Sequence, residues 1–166
     1  MKDYDYSQEG YYFITICTHF KAHMLSEVTG NTTKLTAAGA IVQSIWDAIP
    51  RHFDDVQIDA FVVMPNHVHG ILHLTRSGSS SVPGIVQTFK SISTRRIHNV
   101  RSKRDESIWQ RNYYERIIRT ERELALTRLY IVLNPLLWNR GADLGELDIS
   151  ETKLAELLEK FQPTLP

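Results

Sequence analysis

The chain has 166 residues, of which 42% are hydrophobic and 23% are charged, and its formal net charge is zero. This length suits one domain with a single core. No apolar run is long enough to cross a bilayer, and the N-terminus lacks the apolar stretch of a secretory signal, so we expect a cytoplasmic protein. Cys17 is the only cysteine, which excludes an intrachain disulfide and a thiolate zinc cluster.

The neutral total hides an uneven distribution of charge. Between residues 85 and 122 there are ten basic and four acidic side chains, a local charge of +6. Between residues 143 and 160 there are six acidic and two basic side chains, a local charge of −4. The basic centre favours a phosphate-rich partner, although a solvated helix face explains the charge alone equally well.

The first predicted element is a strand over residues 11–18, which are mainly aromatic and β-branched. A turn-rich stretch follows around residues 30–32. Residues 36–49 carry isoleucines at helical spacing, which predicts a helix. Thr36 is its expected N-cap, and Pro50 lies beyond its expected end.

The middle of the chain predicts two strands and a helix. Residues 56–64 are apolar, and residues 67–75 alternate between apolar and polar side chains, with a break at residues 65–66. A serine-rich loop over residues 77–81 leads into a helix over residues 83–98, because apolar side chains recur there at helical spacing.

Residues 113–119 predict a fourth strand, and residues 121–133 predict a helix that stops near Pro135. A short amphipathic helix is expected over residues 150–161. The order is β-α-β-β-α-β followed by α, which is the α+β, ferredoxin-like split βαβ arrangement. We therefore expect an antiparallel sheet of four or slightly more strands, with two helices on one face, C-terminal helices, and the other face available for a site.

His67 and His69 form a His-x-His pair on the third predicted strand. Side chains two residues apart on a strand point to the same face, so two imidazoles can converge on one metal ion while Val68 faces the core. Alone, the pair fits the polar half of an alternating strand better than a metal site. A zinc hydrolase would need Asp where this chain has Ile71, and His73 suits a surface or supporting role. Any metal site here would have open positions, which suits polarisation of a phosphate oxygen.

Four ordered blocks resemble the single-tyrosine HUH transposases, and most of all the branch of REP-associated tyrosine transposases. They are residues 12–16, 61–72 around the paired histidines, 109–119 and 130–135. The resemblance covers about residues 10–138. It is far more specific than a single His-x-His pair.

The resemblance implies that Tyr130 is the nucleophile and that His67, His69 and Asn134 hold a divalent metal, Mg²⁺ or Mn²⁺. Tyr130 and Asn134 are four residues apart, so a helix would place them on one face. The implied activity is metal-dependent cleavage and rejoining of single-stranded DNA through a 5′-phosphotyrosine intermediate. We expect residues 1–140 to form the catalytic domain and residues 141–166 to form an acidic helical extension.

The implied partner is single-stranded or hairpin DNA, bound by a monomer or a homodimer. Tyr113 and Tyr114 are rival nucleophiles, or else packing or base-stacking residues. The other candidate DNA-binding residues are basic and would contact the backbone: Lys90, Arg95, Arg96, Arg101, Lys103, Arg104 and Arg111. Three alternatives remain open, namely a non-catalytic hairpin binder, a related replication or conjugation nickase, and a metal-dependent hydrolase that uses water.

Overall fold

The computed structural model describes residues 5–101 and 106–138. The strands are β1 (Gly10–Cys17), β2 (Ser26–Thr29), β3 (Thr32–Leu35), β4 (Val56–Val63), β5 (His67–Leu74) and β6 (Tyr114–Ile118). The helices are α1 (Ala37–Asp47), α2 (Ile49–His52), α3 (Val82–Val100) and α4 (Glu121–Trp138), with a single 3₁₀ turn at His19–Lys21.

Four strands form one antiparallel sheet in the order β4-β5-β1-β6. Without the separate β2-β3 hairpin, the chain runs β-α-β-β-α-β through this sheet and ends in α4. This confirms the predicted ferredoxin-like arrangement. The central pair β1 and β5 sets His69 opposite Thr15 and His67 opposite Cys17.

The two faces of the sheet carry separate apolar clusters, because neighbouring side chains on a strand point in opposite directions. On β1, Ile14 and Ile16 belong to the cluster that also contains buried side chains of α1 and α3. Phe13, directly before Ile14, belongs to a second cluster with Ile71 and residues of α4. The face left open in the prediction is therefore covered by α4.

Gly70, directly after His69 on β5, is required by close packing. A Cβ at this position would overlap the indole ring of Trp46 and would lie 2.9 Å from the Phe61 ring. Trp46 and Phe61 stack with ring centroids 4.4 Å apart. The aromatic pair therefore packs directly on the backbone of Gly70, next to His69. Any larger residue at position 70 would prevent this packing.

Two helix boundaries differ from the prediction. Thr36 caps α1 as expected, with its side chain accepting from the Gly39 amide. Pro50 does not simply follow the helix, because it occupies the first turn of α2, where a missing amide costs no hydrogen bond. The prediction that a helix stops near Pro135 was wrong, because α4 continues through Pro135 to Trp138.

The β2-β3 hairpin was not predicted beyond its turn around residues 30–32. The expected helix over residues 150–161 lies outside the described residues. Within the described ranges, no helix combines the length and apolar character needed to cross a membrane.

Candidate active site

The paired histidines lie at the start of β5 and are buried. His67 is 2% exposed and His69 is 1% exposed. Their ring centroids are 4.5 Å apart, so the strand does bring both imidazoles to one place. They face the α4 side of the sheet, since Val68 between them packs in the opposite cluster.

His69 is oriented by hydrogen bonds at both ring nitrogens. Its Nδ1 lies 2.9 Å from Thr15 Oγ1, and its Nε2 lies 3.3 Å from the Tyr130 hydroxyl. Burial holds the pKa of His69 well below its usual value of 6.5, and the neighbouring His67 acts in the same direction. A neutral imidazole carries a hydrogen on one ring nitrogen and a free lone pair on the other. If His69 Nδ1–H donates to the Thr15 hydroxyl, the lone pair is on Nε2 and faces Tyr130.

His67 is oriented in a similar way by its neighbour along the chain. Its Nδ1 lies 2.6 Å from Asn66 Oδ1, which points the buried Nε2 away from that contact. The ring of Trp138, in the last turn of α4, lies over His67 with centroids 5.9 Å apart. Supporting hydrogen bonds of this kind set the tautomer of a metal-binding histidine.

Helix α4 supplies the other two predicted site residues. Tyr130 and Asn134 are 1% and 3% exposed, and they share a helix face because they are one turn apart. Among the described residues, the Asn134 Nδ2 atom is buried without a hydrogen-bond partner. Rotation of the amide by 180° would present its oxygen at the same place, which is the donor a cation needs.

These donors fit a sparse metal site. In the described part of the chain, no group of three or more His, Cys, Asp or Glu side chains could hold a metal. The available set is two imidazoles with their Nδ1 atoms already engaged, plus one amide oxygen. Three neutral donors would leave coordination positions for phosphate oxygens, so the metal site stays a prediction from the sequence.

Contacts at the start of α4 fix the helix to the sheet. Thr120 Oγ1 accepts from the amide of Glu123, and the Glu123 carboxylate accepts from the Arg119 amide. The same carboxylate pairs with Arg116 of β6 at 2.8 Å. The Thr-x-x-Glu spacing is a capping-box pattern that could have been found in the sequence.

The supporting residues Thr15, Asn66, Asp59 and Arg128 were missed by sequence reasoning. Arg128 of α4 forms a two-point ion pair with Asp59 of β4, and its hydrogen bonds hold the pKa of that carboxyl below its usual value. Thr15 and Asn66 contact the histidines directly. The alternation of β1 was the one available signal, since it places Thr15 on the same face as Phe13.

The rival tyrosines differ in position: Tyr113 belongs to the α3 side of the sheet, whereas Tyr114 pairs with Thr15 on the face of the candidate site. Tyr113 packs on the α3 side of the sheet, where Lys90 Nζ is 5.4 Å from its ring, and burial raises the pKa of its hydroxyl. Tyr114 is 39% exposed and lies against Phe13, with ring centroids 6.3 Å apart. Tyr130 is the tyrosine whose hydroxyl is placed at a site histidine, 3.3 Å from His69 Nε2.

The predicted DNA-binding cations differ in how accessible they are. Lys90 is half-buried, and its ammonium group donates to three backbone carbonyls, those of residues 110, 111 and 112. Arg95, Arg96, Arg101 and Arg111 are exposed. Lys103 and Arg104 lie outside the described residues.

A groove of 860 Å³ runs between α3 and the segment over residues 106–111. We call it the α3 groove; its lining includes Lys90, Arg95, His98, Glu106, Trp109 and Arg111. The segment is attached beside the end of β1, because the Gln110 amide donates to Cys17 O at 2.9 Å. The groove therefore begins at the same end of the sheet as His67.

Comparison with known proteins identifies the family. The model of the family described as "Transposase IS200 like" matches residues 11–134, about three quarters of the chain. The chain belongs to the IS200-like transposases. This confirms the resemblance read from the four sequence blocks.

Three known proteins are similar to this chain. An uncharacterised protein of Haemophilus influenzae is 38% identical over 158 residues, which cover 84% of this IS200-like chain and 88% of that protein. The structure of a REP-associated tyrosine transposase bound to a REP hairpin superposes with a TM-score of 0.62 at 22% identity, covering 82% of this chain and 73% of that one. A candidate transposase of Deinococcus radiodurans gives a TM-score of 0.53 at 19% identity, covering 79% and 95%. These two structures support the fold.

Proposed function

We propose that this IS200-like transposase cleaves and rejoins single-stranded DNA, with Tyr130 as the nucleophile. The observation that carries the proposal is the 3.3 Å contact between the Tyr130 hydroxyl and His69 Nε2. It brings a candidate nucleophile into contact with one member of the donor set formed by His67, His69 and Asn134. A buried tyrosine with only a packing role would need no such neighbours.

The reaction consists of two transesterifications. The Tyr130 oxygen attacks a backbone phosphorus, the bond from phosphorus to the 3′ oxygen breaks, and that oxygen takes up a proton to become a free 3′ hydroxyl. The DNA 5′ end remains joined to Tyr130 through phosphate. Attack by another 3′ hydroxyl then restores the tyrosine hydroxyl and joins a new strand, so the energy of the broken ester is conserved.

The residues of this chain have separate tasks in the proposal. Phenols have a pKa of about 10, so the Tyr130 hydroxyl must lose its proton to attack well. The His69 Nε2 lone pair faces this hydroxyl but cannot accept its proton while it binds a metal ion, so the nearby cation would have to favour the loss. Thr15 and Asn66 hold the two imidazoles in position. A divalent ion bound by His67, His69 and Asn134, Mg²⁺ or Mn²⁺, would supply charge neutralisation at the attacked phosphate.

We propose that the substrate is a DNA hairpin with unpaired flanks. The solved relative with a TM-score of 0.62 is described as bound to a REP hairpin. The exposed arginines on α3 and next to it are placed to contact a DNA phosphate backbone. Two of them, Arg95 and Arg111, line the α3 groove. Such contacts give affinity and salt dependence with little choice of sequence.

The test is a denaturing-gel assay with end-labelled hairpin DNA taken from the sequences that flank the gene. With Mn²⁺ or Mg²⁺, the protein should form a covalent adduct that is absent in Tyr130→Phe. Tyr12→Phe is the matched control, because Tyr12 is equally buried and its hydroxyl donates to Gln8 O on the opposite face of the sheet.

Other outcomes would redirect the proposal. Hairpin binding without an adduct, with both metals and across flanking sequences, would favour a non-catalytic hairpin-binding protein. An adduct that survives in Tyr130→Phe would transfer the nucleophile role to Tyr113 or Tyr114. Strand cleavage that survives without any adduct would indicate a hydrolase that uses water.

A further inference from the structure

The single 3₁₀ turn after β1 presents an aromatic ring to solvent. Phe20 is 88% exposed, the highest value among the exposed large hydrophobic side chains of the described residues. Its backbone has φ 51° and ψ 26°, and Lys21 after it has φ 52°. Two successive non-glycine residues with left-handed backbone conformations are uncommon and strained.

Neither burial nor backbone preference accounts for Phe20. A phenylalanine in water contributes little to folding, and a glycine would adopt this backbone without strain. Strained backbone of this type clusters at ligand clamps, active sites and switch regions. The ring is also partly supported, because the His19 ring lies beside it with centroids 4.0 Å apart.

The turn borders a second cavity, of 540 Å³, which we call the Phe20 pocket. Its lining includes His19, Phe20, His23, Met24, Arg101 and Ile108. The volume is typical of sites that hold one small ligand. The walls combine aromatic and apolar surface with a guanidinium group at the rim, and Glu106 is the acidic side chain among its lining residues.

The Phe20 pocket lies between the α3 groove and the candidate active site. It shares residues 106–108 with the α3 groove. On its other side, the His23 ring contacts Trp138 with centroids 5.3 Å apart, and Trp138 in turn lies over His67. A single DNA strand that runs from the α3 groove to His67 and His69 would therefore pass Phe20.

We propose that the Phe20 pocket binds one unpaired nucleotide of the DNA substrate, with its base stacked on Phe20 and its phosphate beside Arg101. Aromatic side chains stack on any base, since every base has a π face, and arginine is suited to phosphate. This inference rests on the proposed function, because it assigns one nucleotide of that substrate to a place outside the catalytic residues.

The experiment uses hairpin oligonucleotides with 2-aminopurine at each unpaired position in turn, bound to full-length protein carrying Tyr130→Phe so that the DNA stays intact. Stacking quenches 2-aminopurine fluorescence. We expect strong quenching at one position, loss of that quenching in Phe20→Ala and Phe20→Leu, and its retention in Phe20→Tyr. Loss of one stacked base should weaken binding by about 5- to 150-fold.

Two further variants separate stacking from folding. Phe20→Gly should lose the quenching while its melting temperature equals or exceeds that of the parent, because glycine relieves the left-handed strain. A fall in melting temperature that accompanies the lost quenching would give Phe20 a folding role and overturn the inference. Val132→Ala, which shortens another apolar side chain with 67% exposure, should leave the signal unchanged.

The outcomes distinguish this inference from the proposed function. Hairpin binding with no position whose quenching depends on Phe20 overturns the pocket assignment and leaves the tyrosine mechanism intact. Failure of the parent protein to bind any hairpin or single-stranded oligonucleotide overturns both.

Discussion

Arg128 donates to both carboxylate oxygens of Asp59, from Nε at 2.9 Å and from Nη2 at 2.6 Å. The pair joins α4 to β4 two residues before Tyr130, at a point where the pairing register of β4 shifts. A contact through two parallel hydrogen bonds fixes the orientation of the two side chains as well as the distance between them. We therefore regard Asp59 and Arg128 as positioning residues for Tyr130, the proposed nucleophile.

Removing this ion pair should affect the reaction more than the fold. We expect Asp59→Asn to slow adduct formation by about tenfold, because small displacements of a reacting group are costly. The loss of unfolding free energy should stay below about 1 kcal/mol, because the pair is partly exposed. Gel assays and urea titrations measure the two effects.

The control for this prediction is Asp54→Asn. Asp54 forms a 2.8 Å ion pair with Arg76 on the exposed surface, with no contact to α4 among its described contacts. It should leave both rate and stability unchanged. Equal rates in Asp59→Asn and Asp54→Asn would remove the positioning role.

The same pair should contribute a pH-dependent part of the stability. The hydrogen bonds from Arg128 lower the pKa of Asp59 below its usual 3.8, so the folded state binds its proton less readily than the unfolded state does. The stabilisation is present above pH 3.8 and is lost as the pH falls through the lowered pKa. Urea titrations should show a difference between the wild type and Asp59→Asn at pH 7 that shrinks towards pH 2. A difference that persists there would contradict the assignment.

Metal binding can be measured without DNA. If His67, His69 and Asn134 hold the ion, saturating Mn²⁺ should raise the melting temperature by about 5–10 °C, since a ligand at 100 times its Kd adds about 2.7 kcal/mol. The increase should disappear in His67→Gln and Asn134→Leu. His73→Gln is the matched control, because His73 lies on the same strand face but stacks on Tyr11. A metal effect that is unchanged in His67→Gln would place the ion elsewhere.

Gly70 should tolerate no larger residue. Gly70→Ala places a methyl group against the rings of Trp46 and Phe61, and overpacking of this kind costs about 1–3 kcal/mol. Gly84→Ala is the comparison, since its added carbon would lie 3.2 Å from only the Ser81 hydroxyl oxygen, a single atom that needs to shift by a few tenths of an ångström, and its cost should be well below that of Gly70→Ala. Chemical denaturation measures both, and similar free energies for the two variants would show that the rings can move aside.

The sheet could be predicted from the sequence because burial imposes a period of two on its strands. Val68 and Leu72 face one cluster and Ile71 the other, as the alternation of β5 indicated. The β2-β3 hairpin has no such signal, because each of its four-residue strands is mostly exposed or half-buried. Strands without a buried face leave no hydrophobic pattern to detect.

Position along the strand and helix brings His67, His69 and Tyr130 together. Family resemblance named these residues and Asn134, and their roles stay a prediction, whereas their supports could not be found from the sequence. The bonds from Thr15 and Asn66 depend on strand pairing and on a turn, which no local pattern encodes. Lys90 seemed a surface cation from helical spacing, yet its ammonium group is occupied by the carbonyls of a segment 20 residues away.

Pro135 divides α4 into two parts with different bonding. A proline has no amide hydrogen, so the Ile131 carbonyl lacks its usual partner one turn later. The turn after Pro135 carries Trp138, whose ring centroid lies 5.9 Å from that of His67. Tyr130 lies before Pro135, on the part of α4 that Arg128 and Glu123 join to the sheet. The last turn, which carries Trp138 beside His67, is therefore held by one backbone hydrogen bond fewer than the part of α4 that carries Tyr130.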